Sequence, residues 1–216
     1  MKNEISYSIF KTDWGFFGLL ADDTGLLRTS LPSTTYDSAK NFLLRSFSKN
    51  ANEKSIYPHL QKAVIDYYNG IYVDFNKLDI TFNFENLTDF SKRILLACKA
   101  INIGKTITYG NLAARAGGAP GAARAVGSVM AANQWPLLIG CHRVIRADGV
   151  IGRFSGEGGS STKKRMLQHE QVLISKGDKY DSHEKSRIGQ RPGRDWPLFA
   201  GNKSGKHAVS FGPDRP

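Results

Sequence analysis

The first 30 or so residues contain short apolar runs separated by turn residues. After them, apolar residues recur at the spacing of a helix. The runs predict strands over residues 5–10, 15–21 and 25–29, with Asp22-Asp23-Thr24-Gly25 as a turn between the last two. Apolar positions spaced three and four apart then predict helices over residues 36–48 and 57–68. Residues 1–85 are therefore predicted to form a mixed α/β domain. Because no residue pattern in it indicates chemistry, we interpret it as a scaffold.

The pattern changes near Asn86-Leu87-Thr88-Asp89, where we predict a domain boundary. Thr88 or Asp89 can cap a helix that runs to about residue 102. Its apolar face consists of Phe90, Ile94, Leu95, Cys98 and Ile101. Cys98 is thus predicted to be an inert core residue. Residues 106–110 follow as a short extended segment.

Two short helices come next, over residues 111–116 and 121–132, joined by Gly117-Gly118-Ala119-Pro120. Two helices joined by a tight turn that contains glycine form the helix-turn-helix pattern. One face of the second helix is nearly bare of long side chains, with a single arginine among small residues. It consists of Gly121, Arg124, Gly127, Ser128 and Ala131. Such a face indicates either a helix that is buried on both sides, or one laid on nucleic acid that contacts shape and phosphate more than base edges.

The apolar run over residues 136–139 leads into Gly140-Cys141-His142-Arg143. A cysteine beside an imidazole and a guanidinium lies where a thiolate is favoured. A glycine-rich loop over residues 152–159 follows, and then a helix from Ser160 to about Leu173, on whose apolar face Glu170 lies. A carboxylate on an apolar face needs a polar partner. Glu170 is therefore either half of a structural salt bridge or a catalytic carboxylate.

Adjacent residues in a helix or turn do not point the same way, so His142 is not expected to bond Cys141 directly. We predict a relay from Glu170 to His142, and from His142 through a water molecule to Cys141. Such a relay would lower the thiol pKa from about 8.5.

Charge and cysteine content narrow the class of protein. The 216 residues carry a net charge of +11, and residues 101–176 hold 10 basic against 3 acidic side chains. Basicity around the candidate cysteine indicates a polyanionic partner. Two cysteines exclude a disulfide framework and indicate a reducing compartment. Zinc spacing, an apolar membrane span and a signal-peptide pattern are missing. We therefore predict a cytoplasmic protein without metal or cofactor, with residues 177–216 as a disordered basic tail.

Several motifs occur in order over roughly residues 86–175: Thr108-Tyr109-Gly110, Ala123-Arg124-Ala125-Val126-Gly127, Ile139-Gly140-Cys141-His142-Arg143-Val144 and His169-Glu170. Together they resemble the O6-alkylguanine-DNA alkyltransferase family. The resemblance implies an N-terminal ribonuclease-H-like mixed domain over residues 1–85. It implies a mostly helical, winged-helix-like domain with the helix-turn-helix over residues 86–176.

The resemblance also implies roles for individual residues. Cys141 would accept the alkyl group, with His142 and Glu170 as its water-linked activating pair. Tyr109 would help to turn the nucleotide out and would donate a proton to the leaving guanine. The implied DNA-binding residues are Arg124, which enters the duplex, Ala123, Gly127 and Ser128 on the same helix, the hinge residue Asn133, Arg143, and Ser155 near guanine O6. Lys163, Lys164 and Arg165 are expected to face solvent or phosphate.

Gly140 departs from the family, which normally has proline before the cysteine. Proline fixes φ, whereas glycine loosens the backbone. On that argument Gly140→Pro should speed alkyl transfer.

The function predicted from the resemblance is irreversible, single-turnover transfer of an alkyl group from O6 of guanine, less efficiently from O4 of thymine, to the protein's own cysteine. The partner would be double-stranded DNA containing O6-alkylguanine, approached from the minor groove by a monomer that flips the base. The alternative is a non-catalytic alkyltransferase-like protein that only binds the lesion. Members of that second class lack the cysteine, whereas this chain keeps it.

Overall fold

The computed structural model describes residues 4–47 and 51–185, and its N-terminal half is built on one mixed sheet. The strands are β1 (Ser6–Thr12), β2 (Gly15–Asp22), β3 (Gly25–Thr29) and β4 (Asn52–Glu53), in the order β3-β2-β1-β4. The first three are antiparallel neighbours, and β4 pairs with β1 in parallel. The three predicted strands are confirmed.

Two helices cover the two faces of this sheet. Helix α1 (Tyr36–Leu44) is capped by Thr35 and ends earlier than predicted, whereas α2 (Pro58–Tyr68) begins with a proline in its first turn, which suits a helix start. Side chains of β2 alternate between the faces: Leu20 packs with Leu43 of α1, and Phe17 and Leu19 face the main core. A 3-10 turn follows at Phe75–Lys77.

The C-terminal half is mostly helical. It consists of α3 (Asp89–Lys99), β5 (Ile107–Thr108), α4 (Tyr109–Arg115), α5 (Ala123–Ala131), a 3-10 turn at Cys141–Arg143, β6 (Val144–Ile145) and α6 (Gly159–Lys185). The threonines before α3 and α4 accept hydrogen bonds from the first turns, which fixes both helix starts. Strands β5 and β6 pair in parallel.

One hydrophobic core runs from the sheet into this helical half, from Phe17 and Leu26 through Ile94 and Leu112 to Leu173. It therefore crosses the domain boundary predicted near residue 86. The mixed α/β class is confirmed, while the two-domain division and its ribonuclease-H-like and winged-helix descriptions stay predictions. No helix in the described ranges is long and apolar enough to cross a membrane.

The last helix differs from the prediction. We expected α6 to end near Leu173 and residues 177–216 to be disordered, but the backbone remains helical to Lys185. Polar residues are compatible with a helix whose earlier turns are already fixed by packing, because propagation costs less than nucleation. Residues 186–216 lie outside the described part of the chain.

Candidate active site

The segment before the cysteine is a tightly bonded loop. At the end of α5, Asn133 accepts a hydrogen bond at Oδ1 from the backbone N–H of Trp135 (3.0 Å) and donates from Nδ2 to the carbonyl of Ile139 (3.0 Å). Leu137 between them is fully buried and has a φ of 76° in the left-handed region. A non-glycine residue adopts that conformation only where its surroundings enforce it. Asn133 therefore links the helix to the cysteine turn, as predicted, and its DNA-binding role stays a prediction.

Strand β3 of the N-terminal sheet clamps the same loop. The indole N–H of Trp135 donates to the carbonyl of Leu26 (2.7 Å). Thr29 donates from its backbone N–H to the carbonyl of Gln134 (2.9 Å) and from Oγ1 to that of Pro136 (2.9 Å). The N-terminal half thus positions the loop that delivers Cys141, a contribution that the sequence did not reveal.

Cys141 begins the 3-10 turn and is 5% exposed. Burial raises the pKa of its thiol, although a hydrogen bond from Asn133 and the positive charge of Lys163 act in the opposite direction. The predicted lowering of this pKa is therefore wrong, because desolvation outweighs the neighbouring charges. The resting group is a protonated thiol that needs a base. Cys98 is fully buried in the core, as predicted, and burial likewise raises its pKa.

His142 is the neighbouring base and is fully buried. Its Nε2 lies 2.6 Å from Oε1 of Glu170, which confirms the predicted contact. Burial lowers the pKa of His142, although Glu170 opposes that shift, so the imidazole is neutral. A neutral ring that donates from Nε2 to a carboxylate keeps its lone pair on Nδ1. Within the described residues Nδ1 has no hydrogen-bond partner, so it can accept a proton.

Glu170 lies at the centre of the buried polar network. Besides His142, it accepts hydrogen bonds from Nε and Nη2 of Arg143 (3.1 and 2.8 Å), from the backbone N–H of Gly104 (2.8 Å) and from the hydroxyl of Tyr67 (3.3 Å). Burial alone would raise the pKa of this carboxyl, but His142 and Arg143 hold it well below its ordinary value. Glu170 is therefore ionised at neutral pH.

Gly104 can approach Glu170 only as a glycine. Its φ is 72°, and a Cβ there would overlap Cδ1 of Ile174. The close backbone contact and the positive φ both require a residue without a side chain.

Arg143 corrects a prediction, because its guanidinium faces the interior rather than DNA. The residue is 3% exposed, and its Nη1 donates to the carbonyl of Ile101 (2.7 Å) while Nε and Nη2 hold Glu170. All three nitrogens are occupied within the protein. A planar guanidinium suits such a bidentate contact with a carboxylate, and we assign Arg143 to this ion pair.

The structure also corrects the prediction for Lys163, which was expected to face solvent or phosphate and was not predicted as a site residue. It is 1% exposed, its Nζ donates to the carbonyl of Val144 (2.6 Å), and Nζ lies 5.8 Å from the ring centroid of Tyr109. Burial lowers its pKa to about 8. In sequence it stands in an ordinary basic run, in which Lys164 and Arg165 are more exposed, so no pattern could have singled it out.

The remaining predicted residues surround this centre. Tyr109 is half-buried at the start of α4, and its hydroxyl lies against Gly152 of the glycine-rich loop. Ser155 in that loop is exposed. On α5, Arg124 and Ser128 are exposed, as is Ala131, while Ala123 and Gly127 are half-buried. The interpretation of α5 as buried on both sides is therefore wrong, and a smooth face remains open to solvent.

The substitution Lys163→Met tests the burial of this lysine through the pH dependence of the unfolding free energy. The folded pKa of about 8 lies below the ordinary 10.5, so burying the ammonium costs stability below pH 8, and that cost disappears as pH rises towards 10.5. Relative to Lys163→Met, the wild type should gain about 1–3 kcal/mol of unfolding free energy across this window. Denaturant unfolding at several pH values measures the difference. Lys164→Met is the matched control, and an equal pH-dependent difference for it would contradict the assignment.

Gly140→Pro has an expected outcome opposite to the one that the sequence suggested. The φ of Gly140 is −71°, which suits proline, but a Cβ would come within 2.8 Å of Cδ and Nη1 of Arg143. Arg143 would have to move away from Glu170. We expect both Gly140→Pro and Gly140→Ala to lose about 1–3 kcal/mol of unfolding free energy and to slow the alkyl transfer that the resemblance implies. A proline variant that is faster than wild type would show that stiffness prevails over the contact with Arg143.

The fold and the site together define a class: mixed α/β proteins with a buried cysteine held beside a histidine–glutamate pair. Residues 89–172 match the family model described as the 6-O-methylguanine DNA methyltransferase DNA-binding domain. The chain belongs to the methylated-DNA–protein-cysteine methyltransferase family, as a relative in Methanothermobacter thermautotrophicus shows. The two are 38% identical over 136 residues, which cover 61% of this chain and 73% of the relative.

Other relatives and solved structures agree. The mouse protein of the same name is 48% identical over 84 residues, and the match covers 38% of this chain and 39% of the mouse protein. The O6-methylguanine methyltransferase of Mycobacterium tuberculosis superposes with a TM-score of 0.60 at 25% identity, covering 78% of this chain and 94% of that one. A complex of the Mycobacterium tuberculosis protein with DNA gives a TM-score of 0.62 at 26% identity over the same shares.

Proposed function

We propose that the protein repairs DNA by transferring an alkyl group from O6 of guanine to Sγ of Cys141. Its relatives are named methylated-DNA–protein-cysteine methyltransferases, and the site geometry fits that reaction. The observation that carries the proposal is the buried Cys141 thiol followed directly by a neutral His142 whose Nε2 is held by Glu170. A nucleophile, a base and a group that orients the base are the parts that covalent catalysis needs.

In the transfer step, one bond forms between Sγ and the alkyl carbon while the bond between that carbon and O6 breaks. The thiol proton passes through a water molecule to Nδ1 of His142, and the imidazolium that results is stabilised by Glu170. Tyr109 donates its hydroxyl proton to the leaving guanine. Solvent then reprotonates Tyr109 and takes up the proton of the imidazolium, so that one proton passes from the thiol to guanine overall. The product is a thioether on Cys141, which is no longer a nucleophile, so each protein molecule acts once.

The burial of Cys141 supports base flipping. At 5% exposure, its sulfur cannot reach a guanine that stays stacked in a duplex. The exposed face of α5 offers a smooth surface with one charged side chain, Arg124. In this proposal α5 lies on the minor groove, Arg124 takes the place of the flipped nucleotide, and Ser155 lies near O6 of the flipped guanine.

Finer parts of the proposal follow from the same site. O4 of thymine also carries an alkyl group on an exocyclic oxygen and would react less efficiently. One protein molecule holds every residue of the relay, so a monomer suffices. Both cysteines are free thiols in the structure, which suits a reducing compartment such as the cytoplasm.

The stoichiometry of repair tests this proposal. The full chain is titrated against a duplex with one O6-methylguanine, and the restored guanine is counted by cleavage with a nuclease that the methyl group blocks. We expect repair to stop at one guanine per protein molecule, however long the incubation. Continued turnover would overturn the single-use proposal, and tight binding without any repair would favour a protein that only recognises the lesion.

A further inference from the structure

Tyr67 connects the N-terminal half of the protein to the histidine–glutamate pair. It lies on α2, far in sequence from the cysteine turn, and it is fully buried. Its hydroxyl donates to Oε1 of Glu170 at 3.3 Å, the same oxygen that holds Nε2 of His142. The phenol therefore acts on the atom through which the carboxylate holds the base.

A second bond fixes Tyr67 in that position. Its backbone carbonyl lies 2.6 Å from Nε2 of His169, the residue just before Glu170 in α6. Its ring also packs edge-on against the rings of His169 and Tyr68, with centroids 5.0 Å apart in both cases. One residue of α2 thus holds two consecutive residues of α6, through its main chain and its side chain.

We propose that Tyr67 is a positioning residue for alkyl transfer, whose hydroxyl orients Oε1 of Glu170 and limits how strongly that carboxylate attracts the proton of His142. The inference rests on the proposed function and adds to it a residue from the half of the chain that we first interpreted as inert scaffold. The phenol remains a donor at working pH because burial raises the pKa of Tyr67 well above its usual range.

The direction of the effect follows from charge. A hydrogen bond to a carboxylate stabilises its negative form. Without the Tyr67 donor, Oε1 attracts the proton of His142 more strongly, and the pKa of His142 rises. The imidazole must be neutral to accept the thiol proton, so the acid limb of the rate profile moves to higher pH. Within the described ranges, the other ionisable groups that act on this pair include Tyr68 on α2, Tyr72 after it, Arg143 in the cysteine turn and Lys163 on α6.

Tyr68 provides a matched control. It is the next residue of the same helix and is also buried, but its hydroxyl has no hydrogen-bond partner within the described residues. Tyr68→Phe removes the same atom from the same region without touching Glu170. A packing defect would affect both variants, whereas an effect on the carboxylate would be confined to Tyr67→Phe.

The experiment measures the pH dependence of methyl transfer from O6-methylguanine duplex DNA by wild type, Tyr67→Phe and Tyr68→Phe. We expect the acid limb of Tyr67→Phe to move up by about half to one pH unit. Its rate on that limb should fall about three- to tenfold, and the Tyr68→Phe profile should superimpose on wild type. Superimposed profiles for all three proteins, or an equal shift in Tyr68→Phe, would overturn the proposal.

A titration of the His142 ring by NMR separates this inference from the proposed function, since it needs no DNA. A higher pKa of His142 in Tyr67→Phe than in wild type supports the role of Tyr67, even if the wild type takes up no alkyl group. An unchanged His142 titration overturns that role, even if repair proceeds normally.

Discussion

Cys141→Ser is expected to abolish alkyl uptake completely while leaving the fold and binding to the lesion intact. Serine is nearly isosteric with cysteine, so the 3-10 turn and the contacts of Asn133 can remain. Its hydroxyl is a far weaker nucleophile than sulfur at its ordinary pKa. Transfer of a radiolabelled methyl group to protein, together with a gel-shift assay on the same duplex, measures both properties.

Cys98→Ala is the control for this substitution. Cys98 is a fully buried core residue, and its replacement should cost about 1 kcal/mol of unfolding free energy. Its methyl uptake should equal that of wild type. If labelling survived in Cys141→Ser and disappeared in Cys98→Ala, the acceptor would be Cys98, and the assignment of Cys141 would be wrong.

Glu170→Gln is expected to be the most destabilising single substitution in the site. The amide cannot neutralise Arg143, and it places an N–H₂ group among donors. Removing one partner of a buried ion pair leaves the other charge uncompensated, which costs about 3–5 kcal/mol. Methyl transfer should also fall sharply, because His142 loses the group that fixes its tautomer. Glu85→Gln, at an exposed position, should change neither property.

The same variant has a predictable pH dependence. The folded pKa of Glu170 is held below the ordinary 4.5, so its contribution to stability is present above that pH and is lost progressively as pH falls. Glu170→Gln should therefore lose less stability than wild type on acidification below pH 4.5. Unfolding curves measured between neutral pH and pH 3 follow this difference. Parallel acid sensitivity in the two proteins would contradict the burial of an ionised carboxylate.

The three residues of the proposed relay could be named from the sequence, because two of them are adjacent and the third has an unusual position in its helix. Cys141 and His142 are adjacent, and the position of Glu170 on an apolar helical stripe required a buried partner. The bare face of α5 was likewise visible in the spacing of its small residues, although only the structure shows that it is exposed.

Other parts of the site depend on contacts between distant segments. The loop at Trp135 is held by β3, and Tyr67 reaches Glu170 from another helix. Lys163 and Arg143 carry charges that usually indicate a surface, and their burial becomes evident only once Val144 and Glu170 are seen to pair with them. The thiol pKa was predicted in the wrong direction for the same reason, since neighbours in sequence reveal charge but not desolvation.

The most direct test of the central claim is the intact mass of the protein after incubation with duplex DNA containing O6-methylguanine, followed by peptide mapping. We predict one added methyl group per molecule, located on the peptide that contains Cys141, and no added mass in Cys141→Ser. An unmodified wild-type protein after full incubation, or a methyl group on any other residue, would contradict the assignment of Cys141 as the acceptor.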